Sequence, residues 1–115
     1  MNEKKEKSGL APAVKAAVGD LVAYVPDSVI SRTLVKNDAG NVTLFAFAKG
    51  QGLSKHSAPF DALVHVVEGA VTITLGEEDY SLRGGDMILM PADVPHALRA
   101  DENFKMLLVM LKGRG

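Results

Sequence analysis

The chain has 115 residues, enough for one domain with a real core and too few for a second. Thirteen basic residues stand against fourteen acidic ones, a net charge of −1, with no Trp and only two Tyr. That balance argues against a nucleic-acid binder, which needs a basic excess and aromatic platforms for stacking bases.

Residues 1–20 read as a tail set apart from a folded domain spanning 21–115. Met1 to Ser8 holds three Lys and two Glu, with Met1 its one apolar side chain, the composition of a solvated end. Leu10, Val14, Val18 and Leu21 then recur at helical spacing, with Pro12 tolerable in a first turn, so a short helix is expected before Gly19-Asp20 stops it. The stretch has charges but no apolar centre long enough for a signal peptide. No later run approaches the ~18 apolar residues that span a bilayer. The absence of Cys removes disulfides, thiolate metal sites and a cysteine nucleophile, and it fits a reducing compartment. A cytoplasmic protein with no membrane partner is the expectation.

From Leu21 onward, short strands alternate with turn signals. Asn37-Asp38-Ala39-Gly40-Asn41 separates Val29–Lys36 from Val42–Ala48. Glu68-Gly69 separates Leu63–Val67 from Val71–Leu75, and Gly76-Glu77-Glu78-Asp79 and Arg83-Gly84-Gly85-Asp86 mark two more reversals. The pattern predicts an all-β antiparallel sandwich or barrel.

Two strands are apolar on both faces. Phe104, Met106, Leu108 and Met110 alternate with Lys105, Leu107, Val109 and Leu111, and Leu63, Val64, Val66 and Val67 behave alike. A strand buried on both sides needs cover outside the barrel as well as within. A second copy of the chain can supply it, giving a homodimer, or the N-terminal segment can fold over that face.

Two half-motifs occupy Gly50 to Ala100. Gly50, His56, Ala58, Ala62 and Gly69 keep the gaps of one; Gly85, Pro91, Asp93, His96 and Ala100 keep those of the other. In both spacing and glycines the stretch resembles the small single-domain cupins. The resemblance implies an antiparallel jelly-roll β-barrel with a short N-terminal extension. It also implies four metal-ligand positions, three histidines and one glutamate. Here His56 and His96 keep two of them, and alanine stands at the other two, Ala58 and Ala62.

Two imidazoles begin a site for a divalent transition metal, Fe, Mn, Ni, Cu or Zn, without completing it. The other reading makes His56 and His96 polar anchors of a metal-free pocket. Methyl groups at Ala58 and Ala62 would leave that pocket wider and more apolar, with Val64 and Met90 among its lining. Alternation from Ala62 turns Val64 and Val66 inward and His65 outward, so His65 is expected in packing or at an interface. Asp61 is one residue off the inward position and remains a weak third ligand or general base. Asp86 fits a turn cap.

Three functions stay open on these residues. The first is a small-molecule binder anchored by His56 and His96. The second is a metal-dependent enzyme of dioxygenase or isomerase type, with water or substrate in the vacated positions. The third is a metal-free acid–base enzyme using one histidine as proton shuttle.

Overall fold

A computed structural model describes residues 3–5 and 8–113. Ten strands follow in chain order: β1 Glu3–Lys5, β2 Val29–Asn37, β3 Gly40–Phe47, β4 Gly52–His56, β5 Asp61–Glu68, β6 Ala70–Leu75, β7 Glu78–Arg83, β8 Met87–Met90, β9 His96–Ala100 and β10 Phe104–Leu111. They form a six-stranded sheet, β1-β2-β3-β10-β5-β8, facing a four-stranded one, β4-β9-β6-β7. All pairings are antiparallel except β1 with β2. This is the jelly-roll barrel that the sequence implies.

Alternation builds the interior. Phe45 and Phe47 of β3, Val64 and Val66 of β5, Val71 and Ile73 of β6, Leu98 and Ala100 of β9, and Phe104 and Met106 of β10 point into one core between the sheets. Phe47 and Phe104 are register partners, and their rings stack at 4.7 Å with 17° between planes. Truncating either in such a packed site costs about 3–5 kcal/mol.

A second core lies on the outer face of the six-stranded sheet. Ile30, Leu34, Leu44 and Ala46 are buried there with Val22, and Leu21, Tyr24 and Val25 pack around them. Residues 17–25 therefore form a strap over part of this face. Three side chains hold the N-terminal segment. Arg32 donates to the carbonyls of Leu21 and Gly9, Lys105 donates to that of Gly19 at 2.6 Å, and Tyr24 donates to Glu68 at 2.7 Å. Of the two covers expected for a strand apolar on both sides, the N-terminal segment supplies one.

The expected helix around Leu10–Leu21 is corrected: that segment holds one 3-10 turn, Val18–Asp20, and is otherwise irregular. Gly9 and Ala13 both have left-handed backbones, at φ 91° and 61°, which a right-handed helix cannot include. Leu10, Val14 and Val18 remain exposed, so their spacing has no surface to bury against within one chain. The solvated-tail expectation for Met1 to Ser8 is corrected in part, because Glu3–Lys5 adds a parallel strand to the free edge of β2; Met1, Asn2, Glu6 and Lys7 lie outside the described residues. Among the described residues, no helix is long and apolar enough to cross a membrane.

Candidate functional site

His56 ends β4 and His96 begins β9, and the two are register partners across that strand pair. Direct partners put their side chains on one face. The ring centroids are 4.4 Å apart with 66° between planes, an edge-on contact. His96 is 7% exposed, beside His56 on one strand and paired with Leu75 of β6 on the other; His56 is exposed. Leu53 and Leu75 seal the core beneath them.

Each ring is anchored in the same way. Nδ1 of His56 lies 2.8 Å from the carbonyl oxygen of Ser54, and Nδ1 of His96 lies 3.3 Å from that of Val94. A carbonyl has no proton to give, so each Nδ1–H donates and each neutral ring keeps its Nε2 lone pair. Arg32 Nε is the one described side-chain polar atom that is both buried and unpartnered, so Nε2 of His96 is not sealed in the interior. Burial holds the His96 imidazole below its ordinary pKa of 6.5. The Val94 carbonyl opposes that shift, and the nearby His56 adds to it.

The two loops beside these histidines are tied together. Asp93 N–H donates to the Ala58 carbonyl at 2.8 Å, and Ala92 N–H donates to Asp61 Oδ1 at the same distance. Asp93 adopts φ 67°, a left-handed conformation that aspartate tolerates better than most residues. Asp61 is thus a clasp for the loop 91–95. It also borders an open concavity of about 540 Å³ with Pro59, Phe60, Ala92 and Leu111. Lys112 Nζ lies over the Phe60 ring, 5.7 Å from its centroid.

The remaining positions divide. Ala62, Val64 and Met90 are buried in the barrel core, with Ala62 directly opposite Met90 on β8. Ala58 lies in the loop after β4, partly buried. His65 faces outward between Met87 and Leu107, partly buried, and so does not join His56 and His96. Met87 also points out and is 56% exposed. Asp86 Oδ2 accepts the Arg83 N–H at 2.8 Å, a turn cap. The clasp between the two loops and the matched Nδ1 anchors were not visible in the spacing, because they depend on backbone carbonyls.

The model for the cupin domain (Cupin_2) matches residues 43–111, more than half of the chain and both half-motifs. The chain belongs to the cupin family. Among solved structures, this cupin is similar to a conserved protein of unknown function from Streptococcus pyogenes. The two are 39% identical over 92% of this chain and 93% of that one, with a TM-score of 0.86. A cupin superfamily protein from Desulfitobacterium hafniense is 27% identical over 89% of this chain and 94% of its own, with a TM-score of 0.84. A cupin 2 conserved barrel domain protein from Leptotrichia buccalis is 36% identical, with a TM-score of 0.79, but the match covers 82% of this chain and 46% of that one. A search of curated proteins finds no match.

Cupins often bind metals, and the donor set decides whether one fits here. Among the described residues, no group of three or more His, Cys, Asp or Glu is gathered that could hold a metal ion. Two imidazoles alone do not fit a resident zinc or iron centre, which takes three or more protein ligands. What this cupin does present is a pair of imidazoles, each with one nitrogen fixed and one free.

Proposed function

We propose that this cupin binds a small molecule at the barrel mouth, anchored by His56 and His96. The observation that carries the reading is the doubled anchor: two register-paired rings in contact, each holding Nδ1 on a carbonyl two residues back. A polar pair above a sealed apolar core is the usual design of a small-molecule site. The ligand would sit against Ala58, whose short side chain leaves room that a third histidine would fill, on top of Leu53 and Leu75; Ala62, Val64 and Met90 belong to the buried core below and do not line the site. With no cysteine in the chain, the reading includes a cytoplasmic location.

One observation favours a second reading, a metal-dependent enzyme of dioxygenase or isomerase type. Metal-bound histidines usually donate their other ring N–H to a carbonyl or carboxylate, as both do here. Elemental analysis of untagged protein, beside His56→Ala and His96→Ala, separates the two. Near-stoichiometric metal lost in both variants would put the enzyme first. Metal absent after reconstitution, with a thermal-shift hit that both variants lose, supports the binder.

The same proposal includes a homodimer. Leu89, Leu63, Val109 and Val42 form one register row across the outer face of four strands, and Leu89 is 50% exposed. Such a row on an open sheet suits a second copy. Sedimentation at tens of micromolar should show a dimer that Leu89→Lys weakens, and a monomeric wild type would remove the dimer from the proposal.

A further inference from the structure

Resting on the reading above, the anchors also say what kind of ligand the pair accepts. Because both Nδ1 atoms are committed to carbonyl oxygens, a neutral pair offers the ligand two Nε2 lone pairs and no donor. A carboxylate, ether or ketone brings only lone pairs of its own, so it gains no hydrogen bond there and forfeits its water. A hydroxyl or an ammonium can donate. An ammonium would want a nearby carboxylate once desolvated. Asp93, three residues before His96, is the closest acid along the chain, yet no carboxylate is gathered with both histidines among the described residues, and Asp61 already spends Oδ1 on Ala92.

We propose that the His56–His96 pair selects a neutral ligand carrying adjacent hydroxyls, a diol or polyol, and discriminates against carboxylates and ethers. Two hydroxyls on neighbouring carbons can donate one to each of two acceptors carried by rings in contact, their centroids 4.4 Å apart. Register pairing places both residues on one face and the carbonyls of Ser54 and Val94 hold each Nδ1, so the discrimination does not wait for a loop to close.

The test uses the full-length protein labelled with 15N at pH 8. Long-range 1H–15N spectra report which ring nitrogen carries the proton. Both rings should show a protonated Nδ1 and a bare Nε2. Three probes with one carbon frame are then titrated: trans-1,2-cyclohexanediol, its dimethyl ether, and cyclohexanecarboxylate. The diol should move both Nε2 resonances with an apparent affinity at least tenfold above the other two. His56→Gln, whose amide restores a donor at that position, should narrow the gap between diol and carboxylate to within about threefold. A protonated Nε2 in either ring would overturn the inference. So would a carboxylate or ether that matches the diol, and in that case binding at the pair survives without this selectivity. No response to any probe, with no hit in the thermal-shift screen, would overturn the binding reading and this inference together.

Discussion

His56 and His96 meet edge-on at 4.4 Å, yet only one of them has been drawn out of water. His96 is buried and its pKa is lowered, first by that burial and further by His56, against the pull of the Val94 carbonyl. The asymmetry gives the pair a buried member that resists protonation and an exposed member that meets solvent.

A pH dependence of stability follows from His96. Its folded pKa lies below the unfolded value of 6.5, so the unfolded chain takes up the proton first as pH falls. The contribution is therefore fully present above about pH 6.5 and is lost as pH drops through the folded pKa. Thermal melts of wild type and His96→Gln should diverge least near pH 5 and most near pH 7.5. Equal separation at every pH would show that His96 does not titrate differently in the folded state.

The strap over the outer face should depend on Lys105. Lys105 is 8% exposed, and its ammonium donates to Gly19 O at 2.6 Å, lies 4.0 Å from Glu68 and sits 4.9 Å from the Tyr24 ring centroid. Removing a charge-assisted hydrogen bond of this kind costs about 1.5–3 kcal/mol. Urea unfolding of Lys105→Met should show a loss of that size, and hydrogen exchange should show faster opening at residues 19–25. Met keeps the apolar stem, so an unchanged midpoint would mean that packing alone retains the strap.

Much of the barrel was legible because strands alternate and turns announce themselves. Phe104–Leu111 is a strand over the stretch read from sequence, and Val29, Leu63 and Val71 all fall in the strands expected of them. Parity placed Val64 and Val66 inside and His65 outside. The helix expected near Leu10–Leu21 failed because periodicity records spacing, whereas Gly9 and Ala13 are held in left-handed conformations. At the site, spacing found the positions but not their bonding. The fixed Nδ1 atoms answer to the carbonyls of Ser54 and Val94, and every residue carries a carbonyl, so no residue type signals them. Asp93 shows the same limit: its backbone is left-handed, a conformation that aspartate tolerates, and nothing in the residue type announces it.

Gly69 and Gly50 occupy both motif glycine positions of the first half-motif, but the structure asks different things of them. Both have left-handed backbones, at φ 85° and 87°. A Cβ at Gly69 would lie 2.0 Å from Asn103 O and 2.6 Å from Phe104 Cα, whereas nothing lies within 4 Å of one at Gly50. Gly50→Ala should therefore cost only the backbone strain, about 1 kcal/mol. Gly69→Ala must also push β10 away from the turn, and the loss should exceed that of Gly50→Ala by about 2 kcal/mol or more, enough to remove much of a small domain's stability. Urea midpoints of the two variants check the order; equal losses would mean that the turn relaxes without moving β10.

Placing ligand side chains at Ala58 and Ala62 tests whether this barrel can hold a metal. Ala58→His with Ala62→Glu would return the histidines and carboxylate of the first half-motif beside His56 and His96. Ala62 is 4% exposed and faces Met90, so a carboxylate there without a partner should destabilise the barrel by about 2 kcal/mol or more. A metal held by four groups would offset that cost, because binding to the folded state alone adds about 2.7 kcal/mol at a hundredfold excess over Kd. The double variant should thus melt below wild type in chelator and recover in Zn2+ or Mn2+, while wild type responds little to either ion. Recovery with stoichiometric metal would show that the fold offers the geometry for a four-ligand centre at these positions. A double variant that binds no ion would mean that the loop holding Ala58, tied to Asp93, now points elsewhere.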